Sequence, residues 1–149
     1  MNATLRERAL RLLARREHAR AELARKLAAH AESDEQLEAL LDDLSERRLL
    51  SDERYVEMRL NARSARYGNA RLAQELRSTG VAGDLVDEAL ASVASELSRA
   101  REVWERKYGR SGEVADPAER ARQAGFLMRR GFSGETIRRV LRGDFEEDQ

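Results

Sequence analysis

Arginine is the residue type that gives this chain most of its chemical capability. Of the 28 basic residues 26 are arginine, and 28 acidic residues balance them, so the net charge is zero. The charges lie in blocks, with a negative excess over residues 31–53 and a positive excess over residues 54–79. Because a guanidinium group binds phosphate or carboxylate oxygens through two parallel hydrogen bonds, such blocks favour contacts with nucleic acid or with an acidic protein surface.

The clearest candidate site lies near the centre of the chain and consists of four arginines and one tyrosine: Arg59, Arg63, Arg66, Tyr67 and Arg71. The i, i+4, i+7 spacing of Arg59, Arg63 and Arg66 predicts that they share one face of a helix. An aromatic ring beside them can stack on a nucleobase while the arginines bind phosphate. The alternative is a solvated face on which Glu57 and Glu75 pair with the arginines. Two further pairs occupy matching places near the chain ends and favour one extended basic surface: Arg15 with Arg16, and Arg129 with Arg130.

The sequence contains no arrangement of residues that is typical of a catalytic site. It has no GxxxxGK[ST] phosphate loop, no GxGxxG motif after a strand and no cysteine. These absences exclude phosphate-loop nucleotide binding, disulfides and cysteine-ligated zinc. His18 and His30 are the only histidines, and a packing role is the favoured interpretation of His18, which lies at a turn. We therefore expect a protein that is not an enzyme, with no catalytic residue, no cofactor and no metal site.

Apolar residues recur at helical spacing along almost the whole chain, and aromatic residues make up only 5% of it. This pattern predicts an all-α protein without strands. The first three predicted helices cover about 3–16, 19–29 and 34–48. The next begins after an N-cap at Ser51 and ends at Gly68, which is expected to be left-handed, and another ends at Gly80. One or two helices are predicted between 85 and 108, one from Asp116–Pro117 to Gly131, and a last one after an N-cap at Ser133.

One segment of the chain is repeated. Residues 12–27 align without a gap with residues 126–141, and the shared frame is an apolar pair, two arginines, a turn and then apolar residues four apart. The middle of the chain fits the same frame more loosely, with Tyr67 in the place of His18 and Phe132. Each unit is thus predicted to be a helix, a tight turn and a short helix, joined to the next by an acidic third helix. Because one short pair cannot bury its apolar face, we expect tandem three-helix repeats, elongated and curved, with a single compact bundle as the alternative.

Four segments of the chain combine into a pattern that is more specific than the repeat. They are ALRLLARREHARAEL at 9–23, LLSDERY at 49–55, RYGNARLAQELRSTGV at 66–81 and FLMRRGFS at 126–133. In this order and spacing they resemble the opening unit, the entry to the central unit and two later segments of the RecX family, which are bacterial regulators of the RecA recombinase. The resemblance covers most of the chain.

The resemblance implies a fold and a function. The expected units are repeat 1 at 1–50, repeat 2 at 51–96, repeat 3 at 97–143 and a disordered acidic tail at 144–149. The expected function is non-enzymatic: the protein binds the RecA–DNA filament and inhibits its ATPase, strand-exchange and coprotease activities, and so modulates recombination, DNA repair and the SOS response. The main contacts are expected in the central unit, at Arg54, Arg59, Arg63, Arg66, Tyr67 and Arg71. Weak, sequence-independent DNA contact is also implied.

Two other functions remain open at this point. A helix-turn-helix DNA-binding protein would also join two helices by a tight turn, although the candidate recognition helices are short, apolar and poor in the Asn and Gln residues that read base edges. A helical adaptor that binds no nucleic acid is consistent with the zero net charge. The chain has no apolar stretch of membrane-spanning length and no signal-peptide pattern at its start, so we expect a cytoplasmic monomer without membrane contact.

Overall fold

The computed structural model describes residues 2–109 and 113–146, and all of the regular structure in these residues is helical. The α helices of the described ranges are α1 (Leu5–Arg15), α2 (Arg20–Leu27), α3 (Asp34–Glu46), α4 (Asp52–Arg63), α5 (Asn69–Ser78), α6 (Gly83–Ser92), α7 (Glu96–Tyr108), α8 (Pro117–Arg129) and α9 (Gly134–Arg142). A single 3-10 turn, Ala28–His30, extends α2. The all-α prediction is confirmed, and the apolar stripe between 85 and 108 forms two helices rather than one.

Side-chain caps determine where several helices begin. Asp116 accepts a hydrogen bond from the backbone N–H of Glu119 and precedes Pro117 at the first helical position, as predicted. Ser133 likewise accepts from the N–H of Thr136. Such a cap satisfies one of the backbone donors that a helix N-terminus leaves unpaired. The same arrangement is found at the other helix starts that have a polar side-chain cap: Thr4, Ser33, Ser51 and Ser95.

The end of α4 differs from the prediction. The helix stops at Arg63, because the N–H groups of Arg66 and Tyr67 both donate to the carbonyl of Arg63 and close a turn. Arg66 therefore does not share a helix face with Arg59 and Arg63. Gly68 does not adopt the predicted left-handed conformation either, since it is absent from the glycines with positive φ. Its N–H donates to the carbonyl of Arg130, which lies outside the α4–α5 pair.

The described residues form two compact units, and each has a core of its own. The first unit contains the residues up to 58 together with Leu76–Val86, and the second contains Arg59–Glu75 together with the residues from 87 onward. In the first unit, α1, α2 and α3 enclose a core that is built almost entirely from leucine: Leu5, Ala9, Leu23, Leu27, Leu37, Leu41, Leu44 and Leu50. Burial of these side chains is the main contribution to the stability of the α1–α3 bundle.

In the second unit, α7 and α8 pack against α9 around Trp104. The indole Nε1 of Trp104 donates to Oε1 of buried Gln123 at 2.6 Å, so the polar edge of the ring is satisfied inside the core. The ring of Phe145 lies 6.3 Å from that of Trp104, so part of the acidic tail packs on this core. The disorder predicted for the tail stays a prediction for residues 147–149, which lie outside the described residues.

Burial follows the repeated sequence frame closely. The apolar pairs that the frame aligns are all at most 4% exposed: Leu23 with Leu27, Leu72 with Leu76, and Ile137 with Leu141. The order of helices differs between the repeats, because α3 follows its helix pair whereas α7 precedes the pair α8–α9. The boundaries of the three repeats, and their elongated and curved arrangement, stay predictions.

Candidate functional site

The turn between α4 and α5 carries Tyr67, whose half-buried ring is surrounded by guanidinium groups. The Cζ atoms of Arg63, Arg71 and Arg130 lie 4.4, 4.2 and 5.4 Å from the ring centroid. Each such cation–π contact contributes about 0.5–1 kcal/mol at a partly exposed site. We call these four residues the Tyr67 cluster. The aromatic ring that was predicted to be available for base stacking is therefore covered on several sides by the protein's own arginines.

A single carboxylate balances much of the charge next to the Tyr67 cluster. Glu75 on α5 accepts two hydrogen bonds from Arg63, at 2.7 and 2.6 Å, and lies 3.5 Å from Nε of Arg71 and 3.7 Å from Nη2 of Arg59. Burial by itself would raise the pKa of Glu75, but these arginines outweigh it, so the pKa is lowered and the carboxylate stays ionised. The solvated-face alternative is thus partly correct, because Glu75 pairs with the arginines as it proposed.

The α4–α5 turn packs directly against the turn between α8 and α9. The N–H of Gly68 donates to the carbonyl of Arg130 at 2.7 Å. A Cβ atom on Gly68 would overlap the backbone of Gly131, and one on Gly131 would overlap Arg71. Gly131 also has a φ of +88°, which L side chains rarely adopt. Both glycines are therefore required for the close approach that brings Arg130 to the Tyr67 ring.

Glu96, the first residue of α7, binds the starts of two other helices with one carboxylate. Its two oxygens accept from the N–H of Asn69 at 2.9 Å and from the N–H of Ser133 at 2.8 Å. Asn69 is the first residue of α5, and Ser133 is the N-cap of α9. Burial would raise the pKa of Glu96, but the two backbone hydrogen bonds outweigh it and the pKa is lowered.

Arg99, one turn further along α7, holds the Tyr67 turn from the inside. Its side chain is buried and donates to the carbonyls of Ala94, Ser64 and Tyr67 at 2.8, 3.0 and 2.7 Å, and to the side chain of Asn69. Sequence reasoning missed both Glu96 and Arg99. The only local signal is their i, i+3 spacing in an otherwise ordinary charged helix, and this spacing does not identify any partner.

The remaining predicted site residues do not all join the Tyr67 cluster. Arg66 and Arg129 are exposed, and within the described residues neither has a carboxylate partner. Arg54 belongs to the first compact unit, where its Nε donates to Glu17 at 2.8 Å. Arg16 is bound by both oxygens of Glu22, at 2.7 and 3.1 Å. Arg15, also in the first unit, is exposed. The single extended basic surface stays a prediction, because the predicted arginines divide between the two compact units.

Known proteins match this chain in both sequence and fold. The regulatory protein RecX of Leptothrix cholodnii is 50% identical over 147 residues, which cover 97% of this chain and 92% of that protein. The chain belongs to the RecX family. The regulatory protein RecX of Ralstonia nicotianae is 49% identical and aligns with 94% of this chain and 87% of its own. The family models described as the second and third three-helix domains of RecX match residues 51–90 and 94–141.

A solved structure supports the fold of this RecX-family chain. The crystal structure of RecX from Lactobacillus salivarius superposes with a TM-score of 0.79 over 94% of each chain, at 16% sequence identity. Together with the domain matches, it confirms tandem three-helix repeats. The sequence relatives and the family models confirm the family to which the sequence motifs pointed. In the described ranges, no helix combines the length and the apolar character needed to span a membrane, and no three metal-binding side chains cluster.

Proposed function

We propose that this RecX-family chain is a non-enzymatic regulator that binds the RecA filament on DNA and inhibits its ATPase, strand-exchange and coprotease activities. The observation that carries the proposal is the 50% identity to a protein named regulatory protein RecX, over nearly the full length of both chains. The relatives carry the name of a regulatory protein rather than that of an enzyme. The chain acts in the cytoplasm as a monomer, and weak DNA contact accompanies binding of the filament.

The geometry supports an arginine-mediated contact in the second unit. Arg66 and Arg129 are exposed and unpaired among the described residues, whereas Arg59, Arg63 and Arg71 share Glu75. Exposed, unpaired guanidinium groups are ready to bind carboxylate or phosphate without first breaking an internal ion pair. In this proposal Arg66 and Arg129 contact the filament, and the Tyr67 cluster with Glu75 holds the surrounding surface in shape.

The experiment compares two double variants for inhibition of RecA ATPase on single-stranded DNA. The variant Arg66→Gln/Arg129→Gln removes the proposed contacts, and Arg122→Gln/Arg138→Gln removes two other exposed arginines of the same unit as a matched control. Glutamine is a good helix former, so we expect both variants to fold, with circular dichroism as the check. The first variant should need a roughly ten-fold higher concentration for half inhibition, about 1.4 kcal/mol, and the control should match the parent.

Each contrary result has a separate meaning. A parent protein that neither binds nor inhibits the filament overturns the proposed function itself. A folded Arg66→Gln/Arg129→Gln variant that inhibits as well as the parent removes only the assignment of these contacts. A tight complex with one duplex sequence that survives high salt would favour the helix-turn-helix alternative, because phosphate contacts alone weaken steeply with salt.

A further inference from the structure

The first compact unit contains a basic groove that the proposed function does not use. It has a volume of about 370 Å³ and lies along α1, facing the end of α2 and the 3-10 turn. Its lining residues are Arg8, Arg11, Leu12, Arg15, Lys26, Leu27 and His30. We call it the α1 groove. None of the lining residues is acidic, so no carboxylate of the lining offsets the arginine charges.

The three arginines of the groove have no carboxylate partner in the part of the chain that the structure describes. Among the residues that the structure describes, Arg8, Arg11 and Arg15 form no ion pair. Other arginines of the same unit are bound to carboxylates at 2.7–2.8 Å: Arg6 to Asp43, Arg16 to Glu22, Arg20 to Asp42 and Arg54 to Glu17. Within the acidic block 31–53, Glu38, Asp42 and Asp43 pair with arginines that lie outside the groove. In the described ranges, Arg25 and Arg48 of the same unit also lack an ion pair, whereas Arg8, Arg11 and Arg15 lie together along one groove.

A buried histidine fixes the lysine of the groove. The Nζ atom of Lys26 lies 3.0 Å from Nε2 of His18, and Nδ1 of His18 lies 3.1 Å from the carbonyl of Arg16. Burial lowers the pKa of His18, so its ring is neutral and can accept from the ammonium group at Nε2 while it donates from Nδ1. Lys26 is thus held at the groove by an uncharged imidazole rather than by a carboxylate.

We propose that the α1 groove binds the phosphodiester backbone of nucleic acid, without reading its sequence. From Arg8 to Arg15 the helix rises about 10 Å, so the three guanidinium groups are spread along the groove and can contact several phosphates of one strand. The groove lining contains no Phe, Tyr or Trp for base stacking, although it includes the imidazole of His30, and it has no Asn or Gln for base edges. Protein–protein interfaces are depleted in charge at their core, whereas nucleic-acid interfaces are strongly positive, so the lining favours a nucleic-acid ligand. This inference gives a location to the weak DNA contact of the proposed function and rests on it.

The test is binding of a fluorescent oligothymidylate in the absence of recombinase, over a series of salt concentrations. For single strands the slope of log affinity against log salt is about −0.7 per phosphate contact. Arg8→Gln/Arg11→Gln/Arg15→Gln should therefore make the slope shallower by about 2. The matched control, Arg25→Gln/Arg47→Gln/Arg48→Gln, removes the same charge from exposed positions that do not line the groove, and its slope should equal that of the parent.

The outcomes separate this inference from the filament proposal. A folded groove variant that keeps the parent's slope of log affinity against log salt overturns the inference. A control variant whose slope becomes as shallow as that of the groove variant also overturns it. A groove variant that loses binding to polyglutamate but keeps the parent's slope on oligothymidylate overturns it in favour of an acidic protein ligand. If the Arg8 change disturbs folding, Arg11→Gln/Arg15→Gln alters only exposed residues and should still reduce the slope by about 1.4. A groove variant with a reduced slope that still inhibits RecA supports both proposals independently.

Discussion

The α1–α2 and α4–α5 turns place His18 and Tyr67 at the same position of the repeated frame, yet the surroundings of the two rings are opposite. His18 is 1% exposed and its two nitrogens meet Lys26 and the carbonyl of Arg16. Tyr67 is half-buried and three guanidinium groups face its ring. The repeat thus fixes a ring at the turn, whereas the side chains around it decide its electrostatic environment, and for Tyr67 one of them, Arg130, is distant in sequence.

The residues that follow His18 and Tyr67 also differ in their surroundings. Ala19 after His18 is fully buried, while Gly68 after Tyr67 lies against Gly131 with no room for a side chain. The backbone N–H groups of the residues that come next, Arg20 and Asn69, each donate to a carboxylate. Asp52 accepts from the N–H of Arg20 at 2.7 Å in the first unit, and Glu96 accepts from Asn69 in the second. Glu96 differs because its other oxygen also binds the N–H of Ser133.

The largest expected effect on stability comes from making the α4–α5 turn resemble the α1–α2 turn, which has an alanine after its ring. Gly68→Ala places a methyl group where the backbone of Gly131 lies, so we expect a loss of about 3 kcal/mol in the free energy of unfolding. Urea unfolding followed by circular dichroism measures it. Gly83→Ala is the control, because a Cβ atom there meets nothing within 4 Å. Equal stability of the two variants would show that the turns of the second unit are not closely packed.

The next effect compares the two carboxylate caps. Glu96→Ala removes two amide contacts and should cost about 2 kcal/mol, whereas Asp52→Ala removes one and should cost about 1 kcal/mol. The pKa of Glu96 is lowered from its ordinary 4.5, so its contribution is present above about pH 4.5 and is lost as the pH falls through the folded-state pKa. Unfolding curves at several pH values should therefore show the Glu96→Ala deficit shrinking in acid. A deficit that does not change with pH contradicts the role of the ionised carboxylate.

The smallest effect is a pH dependence in the first turn. Because burial lowers the pKa of His18 below its ordinary 6.5, the unfolded chain takes up a proton first as the pH falls, and stability decreases below about pH 6.5. His18→Phe introduces the ring that the third repeat has at this place, costs about 1 kcal/mol at neutral pH and should remove this part of the pH dependence. Thermal unfolding across this range measures both curves. Parallel curves for parent and variant would assign the pH dependence to other groups.

Much of the fold was predictable because its signals are local. The caps at Asp116 and Ser133 and the buried pairs of the repeat follow from periodicity and from hydrogen bonds within one turn of helix. The family was predictable for the same reason, since its motifs are contiguous segments. The end of α4 could not be predicted in this way. The position of Arg66 depends on the α4–α5 turn, and the N–H of Gly68 in that turn donates to the carbonyl of Arg130, which is far away in the sequence.

The sequence by itself determined the helices, the repeated placement of apolar residues and the abundance of arginine. Tertiary structure decided which arginines are neutralised and which are free. Helical spacing puts Arg59 with Arg63 on one helix face and Arg8 with Arg15 on another, yet Glu75 pairs with the first two, while Arg8 and Arg15 have no carboxylate partner among the described residues. An ion pair depends on a carboxylate that approaches within about 4 Å from another helix. That approach is set by how helices pack, and so Glu75, Glu96 and Arg99 gained their roles only in the folded chain.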